Sequence, residues 1–146
     1  MKYKIENIEQ LSKYVESLLI KRSWPYKKID ELNYRLNLET TYILVSCKNW
    51  GRNVLLSISS PISVHSKNLN LNALERIIEL SSTIEMGKFS LDPENNIIFY
   101  EYSLLADNLD PDEFFVSLTT AGTISDKYDE VISQLTGGKR YIDLKR

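Results

Sequence analysis

Gly87-Lys88-Phe89-Ser90-Leu91-Asp92-Pro93-Glu94-Asn95-Asn96-Ile97-Ile98-Phe99-Tyr100-Glu101-Tyr102-Ser103-Leu104 is the stretch on which the fold turns. Phe89 and Leu91 alternate with polar residues, as in a strand with one dry face. Asp92-Pro93-Glu94-Asn95-Asn96 then supplies turn chemistry, because proline presets φ and asparagine tolerates the left-handed region. Ile98, Tyr100, Tyr102 and Leu104 resume at period two and share one face. The reading is a β-hairpin, and an amphipathic helix pattern flanks it on each side.

Upstream, Leu74, Ile77, Ile78 and Ile84 form the apolar stripe of a helix capped by Asn70 or Asn72. Ser81-Ser82-Thr83 are weak helix formers that loosen its last turn, and Gly87 ends it. Downstream, Asp110 is an N-cap, Pro111 takes the first helical position and Glu113 completes a capping-box pattern. Phe114, Leu118, Ala121, Ser125, Tyr128, Ile132 and Leu135 repeat at alternating four and three until Gly137-Gly138. Gly122 costs this helix about 1 kcal/mol against alanine, which a closely approaching neighbour would explain.

Nearer the N-terminus, Ile8, Leu11, Tyr14, Val15, Leu18 and Leu19 mark a first helix, with Asn7 as N-cap and an end before Trp24-Pro25. Leu32, Tyr34, Leu36 and Leu38 alternate with polar residues in a half-buried strand. A turn near Glu39-Thr40 leads into Tyr42 to Cys47, apolar on both faces and hence central. Asn49-Trp50-Gly51-Arg52 is a turn, and Val54, Leu56, Ile58, Ile62 and Val64 keep step at period two beyond it. Pro61 cannot donate to a ladder, so this strand should end, bulge or lie at an edge nearby. His65 to Asn70 is a polar connection, and Lys139 to Arg146 a short basic tail, frayed or docked. The order is α-β-β-β-α-β-β-α. It predicts an α+β fold, a mainly antiparallel five-stranded sheet with helices packed on it.

The 146 residues fit a single domain over 1–146, with a core at about 8–136 and the tail at 139–146. A chain of this size buries about 70% of its unfolded surface, enough for a core without staples. The net charge of −2 predicts no general attraction to nucleic acid or anionic membrane. Charge is uneven. Phe89 to Asp126 holds Asp92, Glu94, Glu101, Asp107, Asp110, Asp112 and Glu113 but no Lys or Arg. Lys2, Lys4, Lys13, Lys21, Arg22, Lys27 and Lys28 make the N-terminal part basic, and Lys139, Arg140, Lys145 and Arg146 the tail. No segment approaches the ~20 apolar residues of a membrane span, and the first residues lack a signal-peptide run. The expectation is a cytoplasmic protein.

No catalytic constellation stands out, and no cofactor or metal is expected. Cys47 is the only cysteine and sits in an apolar strand, where it reads as a small hydrophobe. His65, the only histidine, has no spaced ligand partners and reads as a solvated loop residue. Asp107, Asp110, Asp112 and Glu113 fail calcium-loop spacing, since Pro111 intrudes; carboxylates at a helix start are favoured by its dipole without any metal. Trp24, Tyr26 and Trp50 lie near basic residues, but there is no basic excess for base stacking. Trp50, at a turn tip, should fold back onto the protein or meet a partner, and folding back is the stronger expectation.

The chain resembles the YbjN-domain family of bacterial sensory-transduction regulators, whose members are similar in fold to type III secretion chaperones. The resemblance rests on Gly87-x-Phe89-x-Leu91-Asp92, the aromatic strand Phe99-Tyr100-Glu101-Tyr102-Ser103-Leu104, Leu109-Asp110-Pro111-Asp112, and Asp126-x-Tyr128 in the last helix. It covers about residues 8 to 136. The hairpin turn carries Asn95-Asn96 where the family often has glycine, and Ser81-Ser82-Thr83 replace its usual residues late in the second helix. The resemblance implies a non-enzymatic protein that binds another protein, and a homodimer by analogy; the charge balance already speaks against nucleic acid and membrane as partners. In the secretion-chaperone fold the helix equivalent to Leu74–Ile84 helps form the dimer, so Leu80 and Met86 join Trp50 as candidate partner-binding residues. Alternatives are a dedicated chaperone or immunity-type partner of one secreted or toxic protein, a small enzyme whose site is assembled only in three dimensions, and nucleic-acid binding.

Overall fold

A computed structural model describes residues 4–145, so Lys2 and Arg146 of the basic segments lie outside the described residues. Helix α1 (Ile8–Lys21) is followed by strands β1 (Lys27–Asp30), β2 (Asn33–Leu38), β3 (Thr41–Trp50) and β4 (Asn53–Ser63). Helix α2 (Leu71–Ser82), strands β5 (Lys88–Asp92) and β6 (Ile97–Leu105), and helix α3 (Pro111–Thr136) complete the main elements. A 3-10 helix spans Tyr141–Lys145. The α+β architecture is as expected, but the sheet has six strands where five were read. The extra strand is β1. All its residues are exposed, so it carries no alternation for a period to reveal, and it pairs with β2 through its backbone.

The sheet is antiparallel throughout, in the order β1-β2-β3-β4-β6-β5. Chain order breaks once, because α2 carries the chain past β6 to the far edge. Pro61 is tolerated in central β4 because the β4–β6 register slips between Pro61 and Ser63, a bulge that spares the ladder a missing donor. Helix α3 lies across β4, β3 and β6, and α1 packs on β3. Together they cover the face bearing Tyr34, Leu36, Ile43, Val45, Leu56, Ile58, Ile98 and Tyr100, all essentially solvent-free.

The helix ends follow the sequence. The Asn7 side chain accepts from Gln10 N at 2.9 Å, Asn70 from Ala73 N at 2.9 Å, and Asp110 from Asp112 N and Glu113 N at 2.8 and 3.1 Å. Gly137 closes α3 with φ +65°. Helix α2 differs at its end. It stops at Ser82, where the Ser82 and Thr83 hydroxyls bond back to the carbonyls of Glu79 and Leu80. Gly87 instead opens β5, with φ +86° and the Tyr100 ring directly over it. The tail is docked: Val64 and Lys139 exchange backbone hydrogen bonds, and Arg35 donates to the Tyr141 hydroxyl.

Candidate functional site

Strand geometry sends alternate side chains to opposite faces, so the helices on one face leave the other to its own residues. Arg35, Tyr42, Leu44, Ser46, Lys48, Trp50, Leu55, Ser57, Ser59, Phe99, Glu101, Ser103 and Leu105 point there by register. No α-helix covers this face among the described residues; only the C-terminal 3-10 helix touches one corner.

The open face is apolar at both ends and polar in the middle. At one end Leu55 stands opposite Leu105, Lys48 opposite Leu55, and Trp50 opposite Asn53. Trp50 is 63% exposed and Leu105 59%. The expected folding back of Trp50 therefore does not occur. The residue belongs to β3, not to a turn tip, and its place in the register aims the ring away from the core. Only Gly51 and Arg52 make the turn, with Gly51 at φ +60°. At the other end Tyr42, Leu44, Pro61, Ile97 and Phe99 form an apolar groove of about 360 Å³, walled by Tyr141 and Leu144. The Tyr141 ring meets Tyr42 edge-on at 4.8 Å, and the Arg35 guanidinium lies 3.9 Å over the Tyr42 ring. Leu44 and Trp50 are six positions apart along β3, roughly 20 Å at ~3.4 Å per residue. Between them Ser46, Ser57 and Ser103 stand in a row across three strands, a flat hydroxyl floor.

The electrostatics of this face are mild. Lys88 Nζ reaches Glu101 Oε1 at 3.2 Å, and the Ser90 hydroxyl donates to the same oxygen at 2.7 Å. Lys48 and Arg52, beside the tryptophan end, form no ion pair among the described residues. At the hairpin turn the Asp92 carboxylate is held below its usual value, chiefly by the Asn95 side-chain amide and then by backbone N–H groups.

Leu80 turns inward and packs against the core, whereas Ile78, read into the α2 stripe, is 68% exposed. Helix α2 packs chiefly against β5 and α3, so its buried arc is narrow; Ile77 and Leu80 share it and Ile78 falls outside. Met86 is half-buried and lines a cleft beside α3. Cys47 faces the core, and burial pushes its thiol up to about 12. His65 is an exposed residue at φ +53°. Asp110 caps α3, Asp112 accepts from Arg22 at 2.8 Å, and among the described residues no group of three or more His, Cys, Asp or Glu is placed to hold a metal. The residues not singled out from sequence are Leu55, Leu105, Tyr42 and Phe99. Only Tyr42 lay in a stretch read as apolar on both faces; Leu55, Phe99 and Leu105 fall out of step with the period-two residues of strands read as having one dry face.

Residues 9–144 match the sequence model of the family described as T3SS (YopN, CesT) and YbjN peptide-binding chaperone 1. The chain belongs to that family. It is accordingly a protein-interaction module of the peptide-binding chaperone and YbjN kind. A chain of the crystal structure of the ExsC–ExsE complex superposes with a TM-score of 0.67 at 9% identity, covering 88% of this chain and 97% of its own. YbjN from E. coli superposes with a TM-score of 0.58 at 10% identity, covering 81% and 90%. At such identities the likeness is one of fold. No curated protein matches the chain in sequence.

Proposed function

We propose that this protein binds a segment of another polypeptide on the open face of its sheet and carries out no covalent chemistry. One observation carries the reading: an uncovered sheet face with Trp50 and Leu105 bare at one end and an aromatic groove at the other. Large exposed apolar side chains grouped on one face mark interaction sites, and tryptophan is enriched among binding hot spots. Family membership and the presence of this fold in a protein–protein complex support it. The absence of chemistry is supported by the titratable groups. Cys47 and Tyr100, both pushed up to about 12 by burial, are packed in the core and away from the open face. No helix among the described residues is long and apolar enough to cross a membrane.

The test is selection from a displayed library of short random peptides, followed by binding to Trp50→Ser and Leu105→Ser variants. Selected peptides should lose about 2 kcal/mol, roughly 30-fold, on the tryptophan variant. Peptides that bind the doubly substituted protein as well as the parent would contradict the assignment. Self-association is a second reading with its own observation: Leu71 and Ile78 on α2 are 70% and 68% exposed and seven residues apart, two turns along one helix face.

A further inference from the structure

We propose that the cleft between the start of α3 and the β5–β6 hairpin is a second docking site, taking an aliphatic side chain carried beside a basic residue of a partner polypeptide. The cleft holds about 340 Å³ and is lined by Met86, Tyr102, Leu104 and Val116, with the exposed Asp112 and Glu113 completing its wall. It opens on the helix-covered side of the sheet, opposite Trp50, and is therefore distinct from the open face.

Its shape follows from the fold. Tyr102 and Leu104 share the face of β6 that carries Tyr100 and Ile98, yet they remain half-buried where those two are fully covered. Val116 faces the cleft from α3 and is 52% exposed. An apolar-floored cleft of this size accepts one or two aliphatic side chains.

Charge then selects the partner. From Phe89 to Asp126 the chain has no cation at all, and the cleft is built largely within that window. Among the described residues Glu113 forms no ion pair, and the one ion pair of Asp112 is with Arg22 at 2.8 Å. Anionic partners such as nucleic acid or an acidic membrane meet like charge here, whereas a lysine or arginine next to the buried side chain meets a carboxylate.

The experiment uses two synthetic amphipathic peptides of equal length, one of leucine and lysine and one of leucine and glutamate. Binding is read from the methyl resonances of Met86, Val116, Leu55 and Leu105 in the full chain. The leucine–lysine peptide should shift Met86 and Val116 saturably and bind about tenfold tighter than its glutamate counterpart. Glu113→Gln should weaken it. Arg22→Gln, which releases Asp112, should strengthen it. Val116→Ser, at an exposed position that leaves folding intact, should abolish the shift at Met86. Equal affinity for the two peptides, or indifference to Glu113→Gln and Arg22→Gln, overturns the proposal. So do shifts at Leu55 and Leu105 in place of Met86, an outcome that leaves the open-face reading standing. Shifts that grow with protein concentration in the absence of peptide would assign the cleft to a second copy of the chain and also overturn it.

Discussion

Two glycines show how the consequence of one methyl group depends on what it would meet. At Gly87 the backbone has φ +86°, and an added Cβ would lie 2.5–2.6 Å from the ring and hydroxyl of the fully buried Tyr100. The ring cannot retreat, because its hydroxyl donates to Met86 O at 2.7 Å. Gly87→Ala combines left-handed strain with overpacking and should cost about 3 kcal/mol. At Gly122 the β2–β3 turn does approach α3, as the sequence implied, but the same methyl would meet Leu38 Cβ at 3.4 Å, an ordinary contact. Gly122→Ala should therefore stabilise the protein by about 1 kcal/mol, the helix-propensity gain. Urea unfolding of both variants checks the pair, and the signs should be opposite. Trp50 belongs at this scale too. Its exposure was not legible because a tryptophan beside a glycine reads as a turn, whereas the pairing of Trp50 with Asn53 makes it the last residue of a strand.

At the scale of elements, the core faces were legible in the sequence and the outer faces were not. Ile98 and Tyr100, the three helix caps, the Pro61 bulge and the Gly137 stop all follow from local rules that the structure obeys. Strand β1 escaped because backbone pairing leaves no hydrophobic period, and Ile78 because a stripe of four apolar residues does not say how wide a neighbour covers it. Asp129 was also missed. It sits on α3, 3% exposed, and accepts from the Thr40 hydroxyl at 2.6 Å, tying the helix to the β2–β3 turn. Burial raises its carboxyl above the ordinary 3.8, while the Thr40 bond and nearby Arg140 oppose the rise. A folded value above the unfolded one means a contribution fully present below 3.8 and lost as pH rises through the raised value. Compared with non-titrating Asp129→Asn, the parent should lose stability over that interval and run parallel to the variant above it. Denaturant midpoints from acid to neutral pH measure this; a parent that gains on the variant as pH rises would reverse the sign.

At the scale of the whole molecule, a sheet covered by helices on one side only leaves apolar residues on the other. Which side is covered is not written in strand periodicity. It depends on how α1 and α3 together find the Tyr34–Leu56–Tyr100 face, so the open face became visible only in three dimensions. The α2 surface belongs to the same question. If Leu71 and Ile78 join two copies, sedimentation equilibrium should give a dimer that Ile78→Glu dissociates; a parent that stays monomeric at micromolar concentration rules that contact out. The central claim, that the open sheet face receives a polypeptide segment, is tested most directly by the fluorescence of Trp50 itself. In a Trp24→Phe background Trp50 is the sole tryptophan, and its exposed ring should emit like a solvated indole. Titration with a library-selected peptide should shift that emission saturably to the blue, with the same midpoint as binding. Binding that leaves the Trp50 emission unchanged would contradict the account.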